Sequence, residues 1–322
     1  MYILIVTPAR SGSRHGNRNT AERWAAHLRS LDHQVDVAIS WTGQECDVLI
    51  ALHARRSHAS IKAWKSAHPT RPLLLVLTGT DLYRDIRSND DARESLELAD
   101  HMVVLQREGL SELSPALRCK TSVIYQSVRA VKRQAPPRSY CLITVIGHLR
   151  EEKDPFRTVR ALAHLPKDMP IRVVHLGKAM SPEFKKEARM QMRAEPRYEW
   201  LGECDHATAM RWLSRSHAMV ISSHMEGGAH VVSEAIAIGV PVIASKISGN
   251  IGLLGKGFPA FYPVGDSAAL ALLLARLSHD VRWREKLAAA VGSRQDLIEP
   301  ARERRSLAKV LTKITRHHSR SQ

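Results

Sequence analysis

The chain has 322 residues, with 48 Lys+Arg against 32 Asp+Glu, a formal charge of +16. Apolar residues make up 44% and charged residues 25%, which suits a folded protein and excludes disordered and collagen-like classes. The length fits two domains of about 100–200 residues or one large one, no stretch reaches the ~18 apolar residues of a membrane span, and the surplus charge points to an anionic partner of unspecified kind.

The N-terminus, MYILIVTPAR, is a short apolar run without a basic leader, so it reads as a buried strand and not a signal peptide. Cys46, Cys119, Cys141 and Cys204 lie far apart with no CxxC pair, the pattern of reduced thiols rather than of a zinc or redox motif. A cytoplasmic protein is expected. Strands are predicted at Tyr2–Thr7, Val35–Ile39, Val48–Leu52, Leu73–Leu77, Met102–Leu105 and Ser122–Tyr125. A second series follows at Leu142–Ile146, Arg172–Leu176, Tyr198–Leu201, Ala218–Ser222 and Val240–Ala244. Several are continuously apolar, as parallel strands covered on both faces are. Helices are expected between them, starting near Asn19 (with Glu22 as a capping box), at Asp154-Pro155 and at Ser181-Pro182. Such alternation builds βαβ units and doubly wound sheets.

The alternation breaks once, at the basic, Pro-rich stretch Arg129–Ser139. This predicts a domain over 1–130, a linker over 131–139, a second domain over 140–279, and C-terminal helices with a basic tail over 280–322, for which packing back on the first domain is one option. The last 23 residues hold seven basic residues against one acid, about a third of the surplus charge. Arg302, Arg304, Arg305, Lys309, Lys313, Arg316 and Arg320 fit a solvated helix face. Nucleic-acid binding is the sharper alternative, but at 5% aromatic residues the chain has few stacking platforms.

The richest segment is Ser222-Ser-His-Met-Glu-Gly-Gly-Ala-His-Val-Val-Ser-Glu234, between a strand and a helix ending near Gly239-Val-Pro241. Gly227 and Gly228 let backbone N–H groups approach a ligand at a helix start, and a carboxylate such as Glu226 or Glu234 can accept from paired sugar hydroxyls. Upstream stands Val145-Ile-Gly-His-Leu-Arg-Glu-Glu-Lys153. Then come Trp200-Leu-Gly-Glu203, Val240-Pro-Val-Ile-Ala-Ser245 and Ser248-Gly-Asn-Ile-Gly252. In this order they resemble the nucleotide-sugar half of a family 4 glycosyltransferase of GT-B fold, over about 100 residues. That resemblance implies two Rossmann-like doubly wound domains facing across a cleft. It implies catalytic roles for Lys153, Glu226 and His148. Donor binding would fall to Gly147, Arg150, Gly202, Glu203, Gly227, Gly228, Glu234, Gly249 and Asn250. Glu234 would hold the ribose, Glu226 the transferred sugar and Lys153 the pyrophosphate. The family usually has Arg where this chain has His148, so either His148 or Arg150 supplies the clamp. No Asp-rich metal motif is present, and neither metal nor cofactor is expected.

Five arginines cluster at predicted strand ends of the first half: Arg10, Arg14 and Arg18 after strand one, Arg55 and Arg56 after strand three. Such forks match phosphate-type oxygens. With Ser11, Gly12, Asn17, Thr80 and Asp81 they form the candidate acceptor site; pairing with nearby acids is the plain alternative. His53 fits a general base, a phosphate ligand or a satisfied strand-end histidine. Asp81 fits a sugar-orienting group or a turn cap, and Tyr125-Gln126-Ser127 either approaches the cleft or starts the linker.

The loop S-G-S-R-x-G-N-R-x-T, with A-L-H-A-R-R-S, T-G-T-D-L-Y, E-G-G-A-x-V-V-S-E-A and S-G-x-I-G-L-L-G, is similar to the SenB-type selenosugar synthases of selenoneine biosynthesis. Those enzymes join selenophosphate to the sugar of a UDP-sugar (UDP-GlcNAc or UDP-Glc) through a C–Se bond, releasing UDP and phosphate. Thr78 stands where ordinary family 4 members often have His. Alternatives are a family 4 enzyme making an O-glycoside on another small anion, a basic nucleic-acid-binding protein on a degenerate transferase fold, and a transferase docked at a membrane surface. The leading reading expects UDP-sugar and selenophosphate as partners, no nucleic acid and no stable membrane insertion; it leaves the oligomeric state open.

Overall fold

The computed structural model describes residues 1–9, 16–129 and 131–319. By contact the chain divides into two units. One is Met1–Ser127 with Glu226–Gly228 and Glu299–Gln322; the other is Val128–Met225 with Ala229–Ile298. The 280–322 stretch expected as one block is therefore split, and so is the Glu226–Glu234 motif.

The first unit holds six strands: β1 (Tyr2–Val6), β2 (Gln34–Ala38), β3 (Val48–Leu52), β4 (Leu73–Leu77), β5 (His101–Val104) and β6 (Thr121–Val123). They form one parallel sheet in the order β2-β1-β3-β4-β5-β6. All five residues of β3 and all five of β4 are buried, which explains their unbroken apolar runs. Strand alternation sends Ile3 and Ile5 to one face, with Trp24 and Leu28, and Leu4 and Val6 to the other, with Ile61 and Trp64.

The C-terminal helix Pro300–Ser319 closes the first of these faces. Leu307, Val310, Leu311 and Ile314 recur at helical spacing and are buried, while Arg302, Arg304, Arg305, Lys309, Lys313 and Arg316 are exposed. The tail's one acid does the opposite of its neighbours. Glu303 is 1% exposed and accepts from Arg23 Nε (2.9 Å), Trp24 Nε1 (2.8 Å) and Ser127 N (2.9 Å), with His27 Nε2 at 3.3 Å. Burial alone would raise its carboxyl; the Arg23 charge and these hydrogen bonds outweigh burial and hold it down at about 2.

The second unit holds β7 (Cys141–Ile146), β8 (Ile171–Leu176), β9 (Tyr198–Gly202), β10 (Ala218–Ile221), β11 (Val242–Ser245) and the two-residue β12 (Phe261–Tyr262). They run parallel in the order β12-β11-β10-β7-β8-β9. In each sheet the order reverses once, between β1 and β3 and between β7 and β10. Ligands of open α/β sheets bind at the carboxyl ends of strands beside such a reversal.

Three helix starts test the capping argument. Ser181 caps Pro182–Ala194 by accepting from Phe184 N, as expected. The first helix begins at Gly16 and not Asn19, so Glu22 lies inside it and pairs with Arg18 instead of capping. Asp154 is not the cap of the next helix either. It adopts a left-handed conformation (φ 44°) at the end of a short 3-10 turn, Glu151–Lys153, and the helix starts at Arg157. The final helical stretch is two helices, Val281–Gly292 and Pro300–Ser319, preceded by a further helix at Ser267–His279.

Candidate active site

In the second unit, the loops after β7 and β10 flank the reversal and are tied together: His224 N donates to the Glu152 carbonyl (2.9 Å). Gly147 follows β7, and its carbonyl accepts from His175 Nε2 (3.1 Å). His175 is fully buried, which pushes it down to about 4, so it is a neutral ring whose Nδ1 takes the Tyr198 hydroxyl (2.9 Å). Gly177, at the end of β8, has no room for a side chain. A Cβ there would lie 1.9 Å from the Gly147 oxygen. His148 Nδ1 accepts from Lys178 N (3.2 Å), which leaves the neutral ring's proton on Nε2. Arg150 Nε stands 3.9 Å from Glu152 Oε2, and Lys153 is half-buried on the 3-10 turn. The cationic candidates of this loop are thus carried on a turn whose backbone is fixed from below.

Glu234 lies on the helix His230–Ile238 and is 4% exposed. Its Oε1 accepts from His206 Nε2 at 2.7 Å and stands 3.6 Å from His230 Nε2. The hydrogen bond to Glu234 raises the His206 pKa above its ordinary value. Sequence reasoning did not single out His206, which is 28 residues from Glu234 and meets it only through the fold. Glu203 is exposed, with Lys178 Nζ at 4.0 Å, and Gly202 turns the chain at φ 75°. Gly249 is buried in the helix Ser248–Leu254. Asn250 is buried too, its Nδ2 donating to the Ser245 carbonyl (2.9 Å), so it braces the loop after β11. Glu226 and Gly228 are half-buried and Gly227 is buried; all three group with the first unit.

In the first unit, Arg10, Ser11, Gly12 and Arg14 lie outside the described residues. Asn17 and Arg18 occupy the first helix, where Arg18 pairs with Glu22. Arg55 Nε stands 3.0 Å from Asp85 Oδ2, and Arg56 is exposed. For Arg18 and Arg55 the structure shows the acid pairing that the sequence left as the plain alternative.

Asp81 is fully buried and accepts from Gly79 N (2.8 Å), Thr78 N (3.0 Å) and Ala54 N (3.1 Å). It stitches the loop after β3 to the loop after β4, accepting from residues ahead of it and not capping the turn that follows. His53 is 2% exposed, with a left-handed backbone at φ 77°. Its Nδ1 accepts from Arg56 N (3.3 Å) and its Nε2 meets Thr80 Oγ1 (3.0 Å). Burial pushes its pKa down, and Asp81 opposes that shift. A neutral ring with Nδ1 occupied keeps its proton on Nε2 and has no vacant basic nitrogen. With these contacts His53 has the surroundings of a satisfied strand-end histidine, one of the three readings the sequence leaves open.

Two all-parallel, doubly wound sheets, each with charged loops beside its reversal, define a GT-B glycosyltransferase fold. The chain belongs to the group 1 glycosyl transferases, whose profile matches residues 129–303, more than half of its length. A Xenopus tropicalis relative, "Glycosyltransferase 1 domain-containing protein 1", is 24% identical over 284 residues, 79% of this chain and 81% of that one. Among solved structures, Anabaena Alr3699/HepE in complex with UDP-glucose superposes with a TM-score of 0.76 at 17% identity, over 97% of this chain and 100% of that chain. Sucrose-phosphate synthase of Thermosynechococcus elongatus gives 0.78 at 15% identity, over 98% and 99%. Among the described residues, no helix is long and apolar enough to cross a membrane.

Proposed function

We propose that the protein is a selenosugar synthase, transferring the sugar of UDP-GlcNAc or UDP-Glc to selenophosphate. The selenium lone pair attacks the anomeric carbon, the bond from that carbon to the UDP oxygen breaks, and UDP leaves with the electron pair. Water then cleaves Se–P, giving the selenosugar and phosphate. The second unit would hold the donor nucleotide, with Glu234 on the ribose; Glu226 keeps the sugar-binding role that the resemblance implies. Lys153, Arg150 and a proton on His148 Nε2 would meet the charge that grows on the diphosphate. The UDP-glucose bound by a protein of like fold supports this donor class. No metal is assigned to the reaction.

The observation that favours this acceptor over a sugar hydroxyl is His53. A hydroxyl must lose a proton as it attacks, and a positioned base supplies typically 10²–10⁴-fold in rate. Here the strand-end histidine has its Nδ1 lone pair on Arg56 N, so it holds no place for that proton. Selenophosphate arrives as an anion, and Arg55 and Arg56 offer charge to its oxygens. Mass spectrometry of products formed from each UDP-sugar with selenophosphate, in EDTA, tests the reading. A selenium-containing sugar with stoichiometric UDP is expected. Turnover with a hydroxyl acceptor but none with selenophosphate would replace it with the O-glycoside reading.

A further inference from the structure

The pairing of Glu234 with His206 carries an inference about how the donor is recognised; it rests on the reading that Glu234 faces the nucleotide ribose. Glu234 is buried, and its Oε1 takes a hydrogen bond from His206 at 2.7 Å. The carboxylate cannot donate, so this proton belongs to His206 Nε2. His206 is the first residue of the helix His206–Ser214, and its side chain is 71% exposed, so its second nitrogen exchanges protons with water freely. The charged and titratable groups facing this ring are Glu234 and, on its own loop, Asp205; His230 shares the same Glu234 oxygen from the helix above.

We propose that His206 is a positioning residue that makes donor binding proton-coupled: a nucleoside diphosphate sugar entering beside Glu234 shifts the His206 imidazole toward its protonated form, drawing the proton from solvent. The physical cause is charge. The ligand brings two negative charges to a site where Glu234 already holds one. With His206 neutral they meet an uncompensated carboxylate; with His206 protonated, the Glu234–His206 pair is electrically neutral. Binding and protonation therefore help each other, and by linkage the ligand raises the affinity of His206 for its proton as much as the proton raises the affinity for ligand. The hydrogen bond also commits Oε1, so that Oε2 is left for a ribose hydroxyl.

The test is calorimetry of UDP-glucose and UDP-GlcNAc binding to the full chain near pH 7.5, in buffers of different ionisation enthalpy. Their diphosphate, esterified at both ends, does not titrate near neutrality, so protons taken up come onto the protein. Net uptake of a fraction of a proton is expected, with affinity weakening about three- to tenfold from pH 6 to 8.5, the scale of a shift of up to one pKa unit. In His206→Gln, which can still donate to Glu234, uptake disappears and the affinity becomes nearly independent of pH. In His230→Gln uptake persists. Proton release, no uptake, or uptake that survives His206→Gln overturns the proposal. If neither UDP-sugar binds, or Glu234→Gln binds them as well as the parent does, the ribose reading itself has failed.

Discussion

The two units use one architecture and the same residue types, yet burial assigns those residues opposite duties. Beside the reversal of the first sheet, the carboxylate (Asp81) is fully buried and spends its oxygens on backbone N–H groups of two loops. The histidine there, His53, is buried beside arginines and pushed toward the neutral form. In the second unit, the carboxylate Glu234 keeps company with two histidines, and its partner His206 is pushed toward the charged form. The buried histidine, His175, lies one layer down and holds the Gly147 backbone. In the first unit both buried groups hold loops together; in the second His175 does so, while the buried Glu234 meets an exposed histidine.

The largest effect is expected below the first sheet, at the only carboxylate of the basic tail. Glu303→Ala leaves Arg23 without its buried partner and costs about 3–5 kcal/mol, read by urea unfolding. Because the folded carboxyl is held down at about 2, against an ordinary value of 4.5, the parent's stability from this group is present above about pH 4.5. It is lost as pH falls toward 2, and the Ala variant lacks that segment of the pH–stability curve. Lys153→Ala comes next: if Lys153 faces the leaving diphosphate as proposed, its loss is expected to lower kcat by about 10²–10³-fold with little change in melting temperature. If Lys153→Ala were fully active, the assignment of the second unit's loop would fall.

Asp81→Asn places an amide NH2 where backbone donors converge and leaves buried N–H groups unpaired, a loss of about 2–3 kcal/mol in thermal or urea unfolding. A variant that folds normally but loses only acceptor affinity would return Asp81 to the substrate. The smallest effect belongs to His53→Asn, a residue that tolerates the left-handed backbone found there. Its kcat is expected to stay within about threefold with an unshifted pH profile, whereas removal of a general base would cost 10²-fold or more.

Much of the fold was legible because parallel strands buried on both faces must be continuously apolar. Val48–Leu52 and Leu73–Leu77 were read with their observed bounds for that reason. The two-residue strand Phe261–Tyr262 is too short to leave a pattern. Local cap rules succeeded at Ser181 and failed at Asn19 and Asp154, where the helix start is set by what packs around it. Strand order is a tertiary fact, so the reversal that brings Gly147–Lys153 beside Ser222–Met225 has no signature in either segment alone. Glu303 was hidden in a basic run whose other residues are solvated, and His206 lies far in sequence from the carboxylate it binds. Which strand-end groups are buried decided their duties, and burial of a single Asp or His beside a loop has no signature in composition.

The central claim is that the second unit binds the UDP-sugar and the first binds a small anionic acceptor. Two-substrate steady-state kinetics on two variants tests it most directly. Glu234→Gln is expected to raise the KM for the UDP-sugar at least tenfold and leave the KM for selenophosphate within about twofold. Arg55→Ala/Arg56→Ala is expected to do the reverse, since a charge-assisted hydrogen bond contributes about 1.5–3 kcal/mol. Crossed effects, with the arginine variant impaired only toward the donor or Glu234→Gln only toward the acceptor, would contradict this division of labour.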